Sequence, residues 1–278
     1  MLLPKTQSKN QLKKRRLQRV TLQAHQVTQN LQIHSAIALT PEQKHYLTNV
    51  LRLELGAEFI ALDRQGGWWL SQLAIAADGE TIQAKIIDQL ENNSELFAHI
   101  TLGIAMPKGS NIESIIRQTT ELGVRQISPL FSDRTVIKSG TDIGTQKRDR
   151  WQRIAEEAAE LSLRNYVPEI NPPQSFKEWL NNSTQLLEQS HKYICVIRAD
   201  VPHLLNALQS VNLQSINDVE ARSQIFMAIG CEGGWTEREE EMAIAAGFIP
   251  VSLGDRVLSA VTAPVVALSI VSAFLEAC

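Results

Sequence analysis

From about residue 99 onward, apolar runs too short to be helices recur between segments with helical periodicity, and that alternation leaves few folds open. The runs are "HITLGIA", "QISPLFS", "YICVI", "IFMAIG" and "FIPVSLG". After the first comes "IESIIRQTTELG", where Ile112, Ile115, Ile116, Thr119 and Leu122 fall on one helical face and Gly123 marks the stop. A longer helix is expected from about Asp149 to Leu163, with Trp151, Ile154, Ala158 and Leu161 on one face. Further helices are expected from near Pro202, Thr236 and Thr262. Strands alternating with helices imply a parallel sheet covered on both faces, an α/β domain.

The first third of the chain has a different rhythm. Residues 20–90 hold short apolar runs broken by "GA", "RQGG" and "ADGE", which suggests a small β-rich domain or barrel. One helical insert is visible in "TPEQKHYLTNVLRLELG": Thr40 is an N-cap, Pro41 takes the first helical position and Gln43 completes a capping box. "ENNSE" (Glu91–Glu95) is the best linker candidate. Trp68 and Trp69 pack in the barrel core or, in the other reading, stack on an unpaired base.

Charge is distributed unevenly. Residues 1–41 carry seven Lys/Arg and no acid, so they are +7 and the remainder is −10, for the net −3. The cluster "KNQLKKRRLQR" is either a solvated terminus or an arm held near nucleic-acid phosphates. No apolar run is long enough to span a membrane, and the basic N-terminus lacks a signal-peptide core. Cys195, Cys231 and Cys278 have neither disulfide-framework nor zinc spacing, which fits a reducing cytoplasm, and the histidines show no metal spacing.

The stretch "IFMAIGCEGGWTEREEE" reads as strand, glycine loop and helix, with Thr236 and Glu239 forming a second capping box. In open α/β sheets, loops at the carboxyl ends of strands carry ligands, and glycines let a ligand approach the main chain. The spacing fits neither a dinucleotide-binding turn nor a P-loop. "LGDRVLSAVTAPVVALSIVSAF" repeats the layout of strand end, loop and apolar helix.

These two segments together resemble the signature of the bacterial 16S rRNA uracil-N3 methyltransferase family (RsmE type), in the SPOUT class of RNA methyltransferases. "HYLTNVLRLELG", "KGSNIESIIRQTTELGVRQISPLFSDRT" and "RWQRIAEEAAELSLRNYVPEI" agree in the same order, from about Arg19 to the C-terminus. Behind the basic arm of residues 1–18, the resemblance implies a PUA-like β-barrel RNA-binding domain over 19–92 and a SPOUT domain with a C-terminal trefoil knot over 93–278. It also implies a homodimer, S-adenosyl-L-methionine as cofactor, and 16S rRNA or the small ribosomal subunit as substrate, with no metal and no membrane.

Carried over by position, the cofactor loops are Ile197, Arg198 and Ala199, then Ile229, Gly230, Glu232, Gly233 and Gly234, and finally Leu253, Gly254, Val257, Leu258, Thr262 and Ala263. Arg52, Lys108, Arg134 and Arg164 sit on matching motifs as RNA contacts, or else are ordinary solvated or salt-bridged side chains. Glu232 is the candidate catalytic residue, assisting loss of the uracil N3 proton, or alternatively it orients its loop. Four positions depart from the family pattern: Cys231 for proline, Leu161 for glutamine, and Ser259 and Val261 for arginine and glutamate. Those departures keep two alternatives open, an RNA-binding assembly factor with a degenerate site and a SPOUT enzyme for another RNA position, such as a ribose 2′-hydroxyl.

Overall fold

The computed structural model describes residues 17–27, 31–63, 66–90, 94–137, 143–184, 190–210 and 223–277. The basic cluster before residue 17, most of the linker and Cys278 lie outside these residues. The chain divides into two compact units, Met1–Ser94 and Glu95–Cys278.

In the first unit, β1 (Arg19–Thr21), β2 (Ala36–Ala38), β3 (Glu58–Leu62), β4 (Trp68–Ile75) and β5 (Ile82–Leu90) form one sheet in the order β1-β3-β4-β5-β2. The β1–β3 pair is parallel and the other pairs are antiparallel. Thr40 and Gln43 form the expected reciprocal box at the start of α1 (Pro41–His45), which runs on as a π-helical turn over Tyr46–Val50. Gln43 also donates from Nε2 to the Thr21 carbonyl at 2.9 Å, so the cap ties the insert to β1. The tryptophan pair is core: Trp68 and Trp69 are buried, and Trp69 Nε1 donates to Asp63 Oδ2 at 2.9 Å. Neither ring offers a face for base stacking. Arg52 stays exposed, in the left-handed region at φ 54°.

The second unit is built on seven parallel strands. They are β6 (His99–Ala105), β7 (Gln126–Phe131), β8 (Glu169–Ile170), β9 (Gln174–Ser175), β10 (Ser190–Cys195), β11 (Gln224–Ile229) and β12 (Ile249–Val251). The order is β12-β10-β11-β6-β7-β8, with β9 also pairing with β7. Strand alternation feeds a core on each face. On one face Leu102, Tyr193, Met227 and Val251 pack with α2 (Asn111–Glu121), α3 (Thr145–Leu161), α5 (Leu204–Gln209) and α7 (Thr262–Ala277). On the other, Ile194, Phe226 and Ala228 pack with α4 (Phe176–Thr184) and α6 (Glu237–Ala245).

Helix α3 begins and ends earlier than its periodicity suggests, and Leu161, expected on the apolar face, is 77% exposed. The buried face of the last turn is formed by Ala158 and Ala159 instead, which leaves Leu161 on the solvent side. There the chain closes in a Schellman motif: Leu163 takes φ 63°, the Arg164 amide donates to the Ala159 carbonyl at 3.0 Å, and the Leu163 amide donates to that of Glu160. The reversal sends Arg164 inward. Its Nε and Nη2 grip both oxygens of Glu95 at 3.1 and 2.6 Å, and Nη1 reaches the carbonyls of Thr120 and Val124. Glu95 Oε1 accepts the Asn165 amide as well. Arg164 is therefore corrected from an RNA contact to a buried clamp, 3% exposed, that joins the start of this unit to the ends of α2 and α3. Leu163, β8, β9 and α4 carried no signal at the sequence level.

Candidate functional site

Five strand ends converge on one edge of the parallel sheet, and each is followed by a loop that bears on the site. Beyond β11, Gly230 to Trp235 fold back on themselves: the Gly234 amide donates to the Cys231 carbonyl at 2.9 Å. A Cβ on Gly230 would stand 3.0 Å from the Gly234 Cα and 3.1 Å from its carbonyl carbon, so the two strands of this loop touch main chain to main chain. Gly234 makes the return at φ 67°, where a side chain is strained. Thr236 and Glu239 then start α6 with the expected reciprocal box.

Two neighbouring loops hold the glycine loop. After β7, Arg134 Nη1 donates to the Gly233 carbonyl at 2.6 Å. After β6, the Lys108 amide donates to Glu232 Oε1 at 3.1 Å. Glu239 adds a third tie, accepting the Asp133 amide at 2.8 Å.

Between these loops lies a cavity of about 280 Å³, close to the lower end of small-ligand pockets at ~300 Å³. Of the residues carried over for the cofactor, Ile197, Ile229, Gly230, Gly233, Gly234, Leu253, Gly254, Leu258 and Ala263 line it. So three chain segments far apart in sequence meet there. Glu232, Arg198, Ala199, Val257 and Thr262 do not line it, each for a physical reason. Glu232 is exposed and turned to the Lys108 amide. Arg198 is ion-paired with Asp200 and Glu240 at 2.6 and 3.2 Å, and those bonds, Asp200 first, hold its pKa above the usual arginine value. Ala199 and Val257 are solvent-facing, and the Thr262 hydroxyl lies 2.9 Å from that of Ser259.

The wall also contains residues the motif comparison did not assign to the cofactor: Arg134, Cys195, Trp235, Glu240, Arg256 and Ser259. Arg134 thus moves from the RNA set to the cavity wall. Desolvation pushes the Cys195 thiol up to about 12, which favours its neutral form. The Trp235 indole is 5% exposed, and its Nε1 finds no hydrogen-bond acceptor among the described residues. Arg256 is exposed and makes no hydrogen bond or ion pair among the described residues. Ser259 is committed elsewhere, since its Oγ accepts the Thr262 amide at 3.1 Å and so secures the first turn of α7. The sequence marks Arg134 only as an RNA candidate and Ser259 only as a departure from the pattern, and nothing local marks Cys195, Trp235 or Glu240 as wall residues, because they belong to different elements.

The wall therefore offers main chain at four glycines, apolar side chains, an orphaned indole N–H, one carboxylate and one guanidinium with no partner among the described residues. That set suits an adenosine-like ligand carrying both apolar and polar parts. No group of three or more potential metal ligands occurs among the described residues. No helix among them is long and apolar enough to cross a membrane. His203 is an N-cap, its Nδ1 accepting the Leu205 amide.

Known proteins give this arrangement its context. An RNA methyltransferase domain matches residues 93–272, and an RNA methyltransferase PUA domain matches 39–87. The ribosomal RNA small subunit methyltransferase E of a Synechocystis strain is 42% identical over 88% of this chain and 75% of its own length. That of Bacillus subtilis is 29% identical over 88% of this chain and 92% of its own. Among solved structures, the Neisseria gonorrhoeae ribosomal RNA small subunit methyltransferase E bound to S-adenosyl methionine superimposes with a TM-score of 0.73 at 28% identity. The alignment covers 93% of this chain and 98% of that one. With both domain types in order and a relative this close along most of its length, the chain belongs to the ribosomal RNA small subunit methyltransferase E family.

Proposed function

We propose that the protein is an S-adenosylmethionine-dependent methyltransferase acting on N3 of a uridine in the 16S rRNA of the small ribosomal subunit. The observation that carries this reading is the cavity at the strand ends, whose wall has main chain at Gly230 and Gly234 and where the Trp235 indole N–H and the Arg256 guanidinium have no partner among the described residues. Bound there, S-adenosylmethionine supplies an electrophilic methyl group on a sulfonium.

The protein's own residues have three tasks. Gly230 and Gly234 leave main-chain groups open to an adenine edge, and the Trp235 Nε1 is a further donor. Glu240, fixed by Arg198, presents an acceptor to hydroxyl or ammonium groups. Arg256 faces the charge problem of the reaction. N3 of uracil becomes a nucleophile when it loses its proton, and the resulting negative charge spreads over the two ring oxygens. An unpaired guanidinium beside those oxygens favours the anion and lowers the cost of that proton loss.

For Glu232 the geometry supports loop orientation over proton transfer, since it stands outside the cavity wall and receives the Lys108 amide. Glu232→Gln keeps that acceptor. It is expected to methylate within about threefold of wild type, whereas loss of a general base lowers rates by ~10²–10⁴. A hundredfold fall with normal RNA and cofactor binding would restore the catalytic assignment.

Lys108 and Arg52 remain exposed cations suited to RNA phosphates, and the N-terminal cluster would add salt-dependent affinity. The family resemblance further implies a knotted cofactor region, a cytoplasmic location and a homodimer. Ile197 and Val257, 71% and 75% exposed, support a second copy covering these loops, which sedimentation analysis reads directly.

The test of the activity is mass spectrometry of rRNA nucleosides from a deletion strain before and after complementation. 3-Methyluridine should disappear and return; its persistence in the deletion strain refutes the assignment. A Gly230→Val variant should fail to complement. Its Cβ meets the Gly234 main chain, so S-adenosylmethionine affinity in calorimetry should fall at least tenfold, about 1.4 kcal/mol, with circular dichroism unchanged. Wild-type affinity in that variant would place the cofactor elsewhere.

A further inference from the structure

A second cleft, of about 370 Å³, opens in the same unit beside the first. The two share loops: of consecutive residues, Asp133 lines the second and Arg134 the first. On α6 likewise, Arg238 and Glu239 line the second and Glu240 the first. The stacked pair of Phe176 and Trp235, with centroids 4.3 Å apart, contributes one ring to each.

The polar groups of this second cleft separate into committed acceptors and uncommitted donors. Glu239 accepts the amides of Asp133 and Thr236. Asp133 Oδ2 accepts the Thr236 hydroxyl at 3.2 Å, and the Ser175 hydroxyl donates to Glu178 at 2.7 Å. By contrast, the ammonium of Lys177 and the guanidinium of Arg238 are exposed and form no ion pair among the described residues. Ser132 is 7% exposed, and its Oγ has no hydrogen-bond partner among them. A buried hydroxyl is rarely left unpaired, because desolvating it without a partner costs free energy. Three uncommitted groups that can donate, two of them cationic, line one cleft, and the carboxylates of Asp133 and Glu239 in its wall are already held by amide and hydroxyl donors. That is the complement of a tetrahedral oxyanion.

We infer that the cleft formed by Ser132, Lys177 and Arg238 binds a backbone phosphate of the RNA substrate, near the nucleotide presented to the cofactor cavity. This rests on the RNA-methyltransferase reading for the identity of the ligand, though not on turnover. The cleft positions the strand and adds no base specificity, since a phosphate contact carries no sequence information.

The test measures binding of a radiolabelled 16S rRNA transcript to the full chain by filter retention across a salt series. Lys177→Ala with Arg238→Ala should weaken binding at least tenfold at 0.15 M salt and lower the slope of log affinity against log salt by ~0.7, one single-strand phosphate contact. Arg117→Ala with Arg153→Ala removes the same charge from α2 and α3 and should leave the slope near wild type. Ser132→Ala should weaken RNA binding about threefold while the melting temperature of the free protein stays unchanged or rises, because its hydroxyl has no partner to lose. The inference falls if the Lys177/Arg238 variant behaves as wild type or no differently from the control pair. It falls equally if Ser132→Ala lowers the melting temperature and leaves RNA affinity intact. Methyl transfer is assayed separately: a wild type that binds RNA through this cleft without methylating it would refute the proposed activity and leave this site standing.

Discussion

Arg256→Ala is expected to lower single-turnover methyl transfer by about a hundredfold to a thousandfold while leaving S-adenosylmethionine affinity within about threefold. The size follows from removing one preorganised donor to a developing oxyanion, ~2.7–4 kcal/mol. The position follows from the cavity wall, where Arg256 is a cation with no hydrogen bond or ion pair among the described residues. By the family resemblance, arginine is expected at the position of Ser259 and glutamate at that of Val261. Here Ser259 has other work, holding the first turn of α7 through the Thr262 amide at 3.1 Å. Ser259→Arg with Val261→Glu should therefore change little or do harm, since it forfeits that cap. Arg256→Lys should fall between wild type and alanine, because an ammonium keeps the charge but loses the planar fork. An Arg256→Ala protein as fast as an active wild type would remove Arg256 from the chemistry, and a wild type without activity that the Ser259/Val261 double substitution rescues would show that the site has decayed.

Arg164→Ala should cost about 3–5 kcal/mol of stability, read as a shift in the urea unfolding midpoint of the second unit. The substitution strands the Glu95 carboxylate, whose side chain is 9% exposed, and orphans the carbonyls of Thr120 and Val124. Four of the five guanidinium N–H groups are spent on these partners, so lysine cannot replace the fork. RNA affinity per folded molecule should not change. Unaltered stability with weakened RNA binding would return Arg164 to the RNA surface. The distinction matters experimentally, because a loss of activity in this variant would otherwise be misread as a binding defect.

Much of the architecture was legible because it is local. The boxes at Thr40–Gln43 and Thr236–Glu239 are three-residue patterns whose bonds close within one turn, and both formed as expected. The strands from "HITLGIA" to "FIPVSLG" are apolar on both sides because the parallel sheet is covered on both faces. Where the expectations failed, the deciding contact was distant in sequence. The outward turn of Glu232 depends on the Lys108 amide, 124 residues away. The burial of Arg164 depends on Glu95, 69 residues away. The edge strands β8 and β9, two residues each, are too short to carry a period.

By itself the sequence determined the two-part plan, the parallel α/β sheet, the glycine loop between β11 and α6, and, by resemblance, the family. Each of these is written in spacing along a continuous stretch, where propensity and periodicity act. Only the tertiary structure decided which side chains face a ligand. It drew Arg134, Trp235, Glu240 and Arg256 to one cavity and turned Arg198, Glu232 and Val257 away from it. It also set the unpaired donors of Ser132, Lys177 and Arg238 around a second cleft. The reason is that a side chain's commitment depends on whether a partner reaches it in space, and sheet order, here β12-β10-β11-β6-β7, sets those distances without regard to chain order.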